Sequence, residues 1–210
     1  MRYRSEKKLT LDAGAFQRCR ALLDGTNHLF KRVHEDRIVS SIYFDDTNLS
    51  RYFAHTMGQA CRKKTRIRFY CRLANIENKD LSCTLEHKIK VYDLGTKLRT
   101  KGKFWTLYKH TLPLQAVAAV SYTRKYYEAE NGLRVTLDSN LEYALPLIIG
   151  NTVKFTSTRK QFINIVEIKT PKVIDEAELN SLHMLLKQLG GRIHKFSKYC
   201  DATERLGLVY

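Results

Sequence analysis

Only 3 Pro and 10 Gly are spread over 210 residues, too few for a collagen-like or low-complexity chain. Long apolar runs are missing too. The richest stretches, Leu112 to Val120 and Tyr143 to Ile149, fall well short of the roughly 18–20 residues a bilayer span needs. Behind the opening MRYRSEKK there is no apolar stretch of the kind a secretory signal carries, so none is expected. The five cysteines (Cys19, Cys61, Cys71, Cys83, Cys200) are odd in number and form no CxxC pair. That excludes a recognisable zinc site or disulfide framework, and a reduced, cytoplasmic protein with free thiols is expected. No fixed-period repeat and no Ser/Gly/Pro linker divides the chain, so a single domain over residues 1–210 is expected. Acidic residues are scarce: 21 Asp+Glu against 37 Lys+Arg leave a net charge of +16. Such a chain attracts polyanions, whether nucleic acid, acidic membrane or polyphosphate, and composition does not choose among them.

What is present is ordinary for a globular protein, 43% hydrophobic and 28% charged. Asp12 caps an expected helix through Ala15, Phe16, Cys19 and Leu22–Leu23 to a stop at Asp24–Gly25. A second helix is expected from Asp175, with Leu179, Leu182, Leu185, Leu186 and Leu189 on one stripe and Gly190–Gly191 at its end. Lys103 to His110 is ambiguous. Most of the rest reads as strand: Tyr3–Leu11, Val39–Phe44, Lys63–Arg72, Ser82–Val91, Val117–Glu128, Leu133–Leu141, Lys154–Thr158 and Phe162–Thr170, with Asn131–Gly132 as a hairpin turn. The fold class is α+β, with a mostly antiparallel sheet.

The strands alternate in an informative way. Lys64, Arg66 and Arg68 share one face, while Thr65, Ile67 and Phe69 share the other. Glu86, Lys88 and Lys90 form a second charged row, and Arg134, Thr136 and Asp138 a third. Arg4, Glu6 and Lys8 line up near the start, Glu167 and Lys169 near the end. One such row is only a wet sheet face. Five rows of mixed Arg/Lys and Glu/Asp are better explained by a closed barrel with a charged lumen and apolar faces packed outward. The lumen candidates are eleven bases (Arg4, Lys8, Lys64, Arg66, Arg68, Lys88, Lys90, Arg124, Arg134, Lys169, Lys198) against four acids (Glu6, Glu86, Asp138, Glu167). That balance asks for a compact, highly charged anion. Carboxylates inside a phosphate site usually hold a hard divalent cation, and Glu167 is the first choice of ligand, with Glu6 and Asp138 as further candidates.

Seven ordered motifs carry a resemblance: Ser41–Asp45 (S-x-Y-F-D), Arg66–Tyr70 (R-I-R-F-Y), Leu85–Lys88 (L-E-x-K), Ser121–Arg124 (S-Y-x-R), Arg134–Asp138 (R-V-T-L-D), Val166–Lys169 (V-E-I-K) and Lys195–Tyr199 (K-F-S-K-Y). Together they resemble the VTC domain, the polyphosphate polymerase domain of the vacuolar transporter chaperone family. Arg4, Glu6 and Lys8 are similar to the opening E-x-E-x-K strand of the wider triphosphate tunnel metalloenzymes, with Arg4 in place of the first glutamate. The resemblance implies an eight-stranded antiparallel tunnel barrel binding triphosphate chains with Mn²⁺ or Mg²⁺. It carries tunnel bases onto Lys8, Arg66, Arg68, Lys88, Arg124, Arg134 and Lys198. It carries the metal-binding glutamate onto Glu167, the phosphate-contacting serine and tyrosine onto Ser197 and Tyr122, and a further lysine loosely onto Lys97. Arg4, Lys64, Glu86, Lys90 and Lys169 complete the expected substrate contacts. The phosphate-sensing and membrane-spanning regions of fungal relatives are not expected in this sequence.

The activity implied is transfer of the γ-phosphoryl group of ATP to a growing polyphosphate chain. Two rivals remain open at this point: hydrolysis in the same tunnel, and a non-catalytic module binding polyphosphate or nucleic acid. No Ser-His-Asp or Cys-His arrangement stands out among the seven scattered histidines. The partners implied are ATP and inorganic polyphosphate. Nucleic acid is not expected, and a separate membrane protein is an allowed partner.

Overall fold

The computed structural model describes residues 6–26, 29–76, 81–92, 94–170, 180, 192–193 and 196–209. Arg4 and the helix expected from Asp175 lie outside these residues. The strands are β1 (Glu6–Leu11), β2 (Phe30–Asp45), β3 (Cys61–Phe69), β4 (Ser82–Val91), β5 (Leu94–Lys103), β6 (Gln115–Ala129), β7 (Arg134–Ile149), β8 (Thr152–Gln161), β9 (Asn164–Lys169) and β10 (Arg192–Ile193). The helices are α1 (Ala13–Gly25), α2 (Ser50–Thr56), α3 (Phe104–Lys109) and α4 (Lys198–Arg205). Among the described residues no helix is long and apolar enough to cross a membrane.

The fold class is α+β, as expected. The hydrogen-bonded strand order is β10-β1-β9-β7-β6-β2-β3-β4-β5, with β8 on β7. Among the described residues the sheet has ten strands, where eight were expected. The strand order also corrects closure, because no ladder among the described residues joins β5 to β10.

The chain divides into two compact units. The first comprises residues 1–37, 122–141 and 161–196, the second residues 38–121, 142–160 and 197–210. In the first unit, Asp12 caps α1 by accepting from the Ala15 N–H at 2.7 Å. That satisfies one of the donors a helix start leaves orphaned. The apolar stripe of α1 (Ala15, Phe16, Cys19, Leu23) packs on Leu9, Leu11, Val135, Leu137, Val166 and Ile168, the inward residues of β1, β7 and β9. β9 pairs antiparallel with both β1 and β7, placing Glu167 opposite Lys8 on one side and Thr136 on the other. The expected Asn131–Gly132 turn joins β6 to β7. Gly132 sits at φ 82°, a conformation that favours glycine, and Ala129 N–H donates to the Leu133 carbonyl at 2.8 Å.

In the second unit β2, β3, β4 and β5 form consecutive antiparallel ladders. Their apolar face (Ile42, Phe44, Ile67, Phe69, Cys83, Leu85) packs with Phe104 and Leu107 of α3. The ambiguous stretch before His110 is therefore this helix. The backbone at Gly102 comes so near that a Cβ there would meet Leu107 Cγ at 3.2 Å. The other face of the same strands carries the charges.

Candidate functional site

In the second unit, register alone builds a charged row. Tyr43 on β2 is opposite Arg66 on β3, which is opposite Glu86 on β4, which is opposite Arg99 on β5. Glu86 is buried, 3% exposed. Its Oε2 accepts from Arg66 Nε at 2.7 Å and lies 3.3 Å from Arg68 Nη2; its Oε1 lies 2.8 Å from Lys97 Nζ and 3.4 Å from Arg99 Nε. One carboxylate thus faces four cations. Burial opposes its charge, yet Arg66 and Lys97 outweigh that and hold its carboxyl below the ordinary value. Lys97 is pushed down to about 8 by burial and then by the Arg66 charge, against its bond to Glu86. Arg66 is also braced by Tyr43, whose hydroxyl accepts from Nη1 at 3.0 Å.

Two further rows flank this one. Ser41, Arg68, Thr84 and Lys101 are successive partners, as are Lys64, Lys88 and Lys97. Ser41 Oγ and Arg68 Nε are buried without a hydrogen-bond partner. Lys64 Nζ donates to Ser197 Oγ at 2.6 Å, and the same oxygen caps α4 by accepting from the Cys200 N–H. Ser197 is therefore a helix cap that also positions a lysine. Lys198 opens α4, and Tyr199 beside it stacks on Tyr43 at 5.2 Å and donates to the buried Asp45. Lys88 is exposed and Lys90 half-buried, opposite Arg62.

The first unit has its own cluster, centred on Arg124. Its Nε and Nη2 donate to the two oxygens of Asp138 at 2.6 and 2.7 Å, and Nη2 also reaches Glu167 Oε2 at 3.4 Å. Burial works against the Arg124 charge, but Asp138 more than offsets it and holds the guanidinium protonated well above its usual range. Glu167 Oε1 lies 2.8 Å from Lys169 Nζ, and Arg124 also stands over the Tyr122 ring at 5.2 Å. Lys8 pairs with Glu6 at 3.0 Å and donates to the Phe196 carbonyl. Arg134 is exposed at the start of β7 and bonded to Glu128.

Glu167 is the first-choice metal ligand, with Glu6 and Asp138 as further candidates. Among the described residues no three His, Cys, Asp or Glu side chains gather as one set. The reason is pairing: Asp138 gives both oxygens to Arg124, and Glu6 pairs with Lys8. Glu167 still suits a divalent ion of the Mg²⁺ kind, which binds through one or two carboxylates plus substrate phosphates. Opposite it in register, Thr136 Oγ1 is buried without a partner, a second hard oxygen beside the carboxylate.

Arg99 and Tyr43 were not legible as site residues, because each joins the cluster only through pairing with its neighbour. The alternation Lys97, Arg99, Lys101 is the signal that marks the β5 face.

Comparison with known proteins gives two kinds of likeness. The profile of the VTC domain family matches residues 3–109 and 105–206. No curated protein matches the chain. Among solved structures, a protein from Pyrococcus horikoshii is similar with TM-score 0.55 and 19% identity, covering 96% of each chain. A putative adenylate cyclase from Bacillus halodurans is similar with TM-score 0.54 and 13% identity, covering 95% of each. Another from Vibrio parahaemolyticus has TM-score 0.52 and 13% identity, covering 94% of this chain and 96% of its own. At such identities the likeness concerns the fold alone.

Proposed function

The chain belongs to the VTC domain family, and from that premise we propose that it is a metal-dependent polyphosphate polymerase. It transfers the γ-phosphoryl group of ATP to a growing inorganic polyphosphate chain and releases ADP. The observation that carries this reading is the buried Glu86 carboxylate with Arg66, Arg68, Lys97 and Arg99 around it. A single acid organises the four bases and leaves a local surplus of positive charge, the electrostatic complement of an oligophosphate.

Phosphoryl transfer asks mainly for positioning and charge neutralisation. A terminal phosphate oxygen of the chain, already ionised, attacks the γ-phosphorus. The new P–O bond forms as the bond to the β–γ bridging oxygen breaks, and that oxygen leaves with the electron pair on ADP. No protein general base is required. The arginines spread over non-bridging oxygens, and the lysines act as point charges. Glu167, with Thr136 beside it and phosphate oxygens completing the set, would hold Mn²⁺ or Mg²⁺, which supplies charge neutralisation at the leaving diphosphate. A cytoplasmic location accords with five cysteines that are all free. The partners proposed are ATP and polyphosphate, with a separate membrane protein as a further partner and no nucleic acid.

Incubation with ATP and Mn²⁺, with separate assays for ADP, free phosphate and acid-labile polymer, tests the activity. Polymer with matching ADP is expected. Free phosphate alone makes the chain a triphosphatase, and no turnover leaves a binding module.

A further inference from the structure

Tyr122, Arg124 and Tyr126 alternate along β6, so their side chains share one face. Arg124 Cζ lies 5.2 Å from the Tyr122 ring centroid and 6.0 Å from that of Tyr126. From β2, Arg37 stands 5.7 Å from the Tyr126 ring, and the His34 ring meets it edge-on at 5.2 Å and 83°. Cation–π contacts of this kind occur roughly once per 70–80 residues, yet three converge on this one ladder. Arg124 is fixed at its inner end by Asp138 and Glu167, while His34 and Arg37 are exposed at its outer end. Beside them Arg32, Val33, His34, Glu35 and Asp36 line a shallow, solvent-open depression. Arg32 and Lys125 both pair with Asp36, which steadies its rim.

Aromatic rings, imidazoles and guanidinium planes are the surfaces on which nucleobases stack. We propose that His34, Arg37 and Tyr126 form the stacking platform for the nucleobase of the nucleotide donor, its triphosphate running inward to Arg124 and Lys169. This rests on the reading above that a nucleoside triphosphate is the phosphoryl donor. The platform has no use for polyphosphate, which has no base, so it distinguishes donor from product. Stacking uses the π-face that every base has, and it reads no base edge.

The test is calorimetry on the full chain with two ligands, the β,γ-imido analogue of ATP and tripolyphosphate. His34→Ala removes a stacking ring. It is expected to weaken the analogue about 5- to 30-fold while tripolyphosphate changes by less than about twofold. Tyr126→Leu is expected to behave alike, and His34→Phe to restore analogue binding. Unchanged analogue affinity in both variants overturns the platform. Equal losses for the two ligands also overturn it, because the residues then support the phosphate cluster or the fold. Because the readout is binding, it stands apart from the activity: a chain that makes no polymer but shows the selective loss keeps the platform. A polymerase whose KM for ATP ignores His34 keeps the activity and loses the platform.

Discussion

At Glu86 one carboxylate faces four cations, and the imbalance decides how each responds to mutation and titration. Glu86→Gln leaves the bases uncompensated. Removing one partner of a buried ion pair costs about 3–5 kcal/mol, and since Lys97 and Arg99 reach solvent the loss here is set at about 2–3 kcal/mol. Denaturant unfolding should show that loss, and tripolyphosphate should restore more stability to the variant than to the native chain. The carboxyl of Glu86 is lowered in the folded state, so its stabilising effect is full above the ordinary value of 4.5 and is lost as pH falls through the folded value. Lys97 is the opposite case. Its ammonium is depressed to about 8 from 10.5, so the folded chain sheds the proton first and the Lys97 contribution to stability rises with pH between those values. Phosphate binding needs the charged form, so tripolyphosphate affinity should decline above pH 8 with proton uptake on binding. Lys97→Arg should abolish that proton uptake; uptake that persists points to another group. Glu167→Gln should end metal-dependent ADP release while tripolyphosphate binds as well or better, because Lys169 and Arg124 lose a competing anion. Unchanged turnover at ordinary Mn²⁺ would make the glutamate purely structural. The parity of Arg66, Arg68 and Glu86 was readable from alternation alone. The tie of Asp138 to Arg124 was not, because the Asn131–Gly132 turn that joins their strands leaves the register of the pair open.

Among the elements, α1 and the β6–β7 turn were legible because each carries its own punctuation. Asp12 and Asp24–Gly25 bracket the helix, and Asn131–Gly132 supplies a positive φ. Asp12→Ala should cost about 1 kcal/mol through the lost cap, seen as a lower denaturant midpoint at unchanged slope. β5 escaped notice for a physical reason: almost every residue from Leu94 to Lys103 is exposed, so no apolar alternation marks it. It exists through its ten-residue register with β4. α2 and α4 are seven and eight residues long, too short for a helical stripe to stand out. β2 and β7, at sixteen residues each, run well past the apolar segments that announce them, β2 toward its start and β7 toward its end.

Across the molecule, a net charge of +16 draws in any polyanion, and its pull falls steeply with salt. What separates a phosphoryl-transfer site from that background is localisation: a few bases sheltered from bulk water and aimed by buried acids. Each unit has its own apolar core on one sheet face and its own acid-centred charge cluster on strands of that sheet. The α+β class and the charged faces were evident from alternation. Strand number and closure were not, because they depend on pairing partners and not on any local pattern. Lys31 and Arg66 give the most direct comparison, since replacing either with Ala removes one positive charge. Lys31, the second residue of β2, has 67% of its side chain exposed and pairs with an exposed Glu130, whereas Arg66 is held by Glu86 and Tyr43. Calorimetry with tripolyphosphate in moderate salt should show Arg66→Ala costing about 2–4 kcal/mol of binding and Lys31→Ala next to nothing. Small, equal losses in the two variants would contradict a localised site and leave only a basic surface.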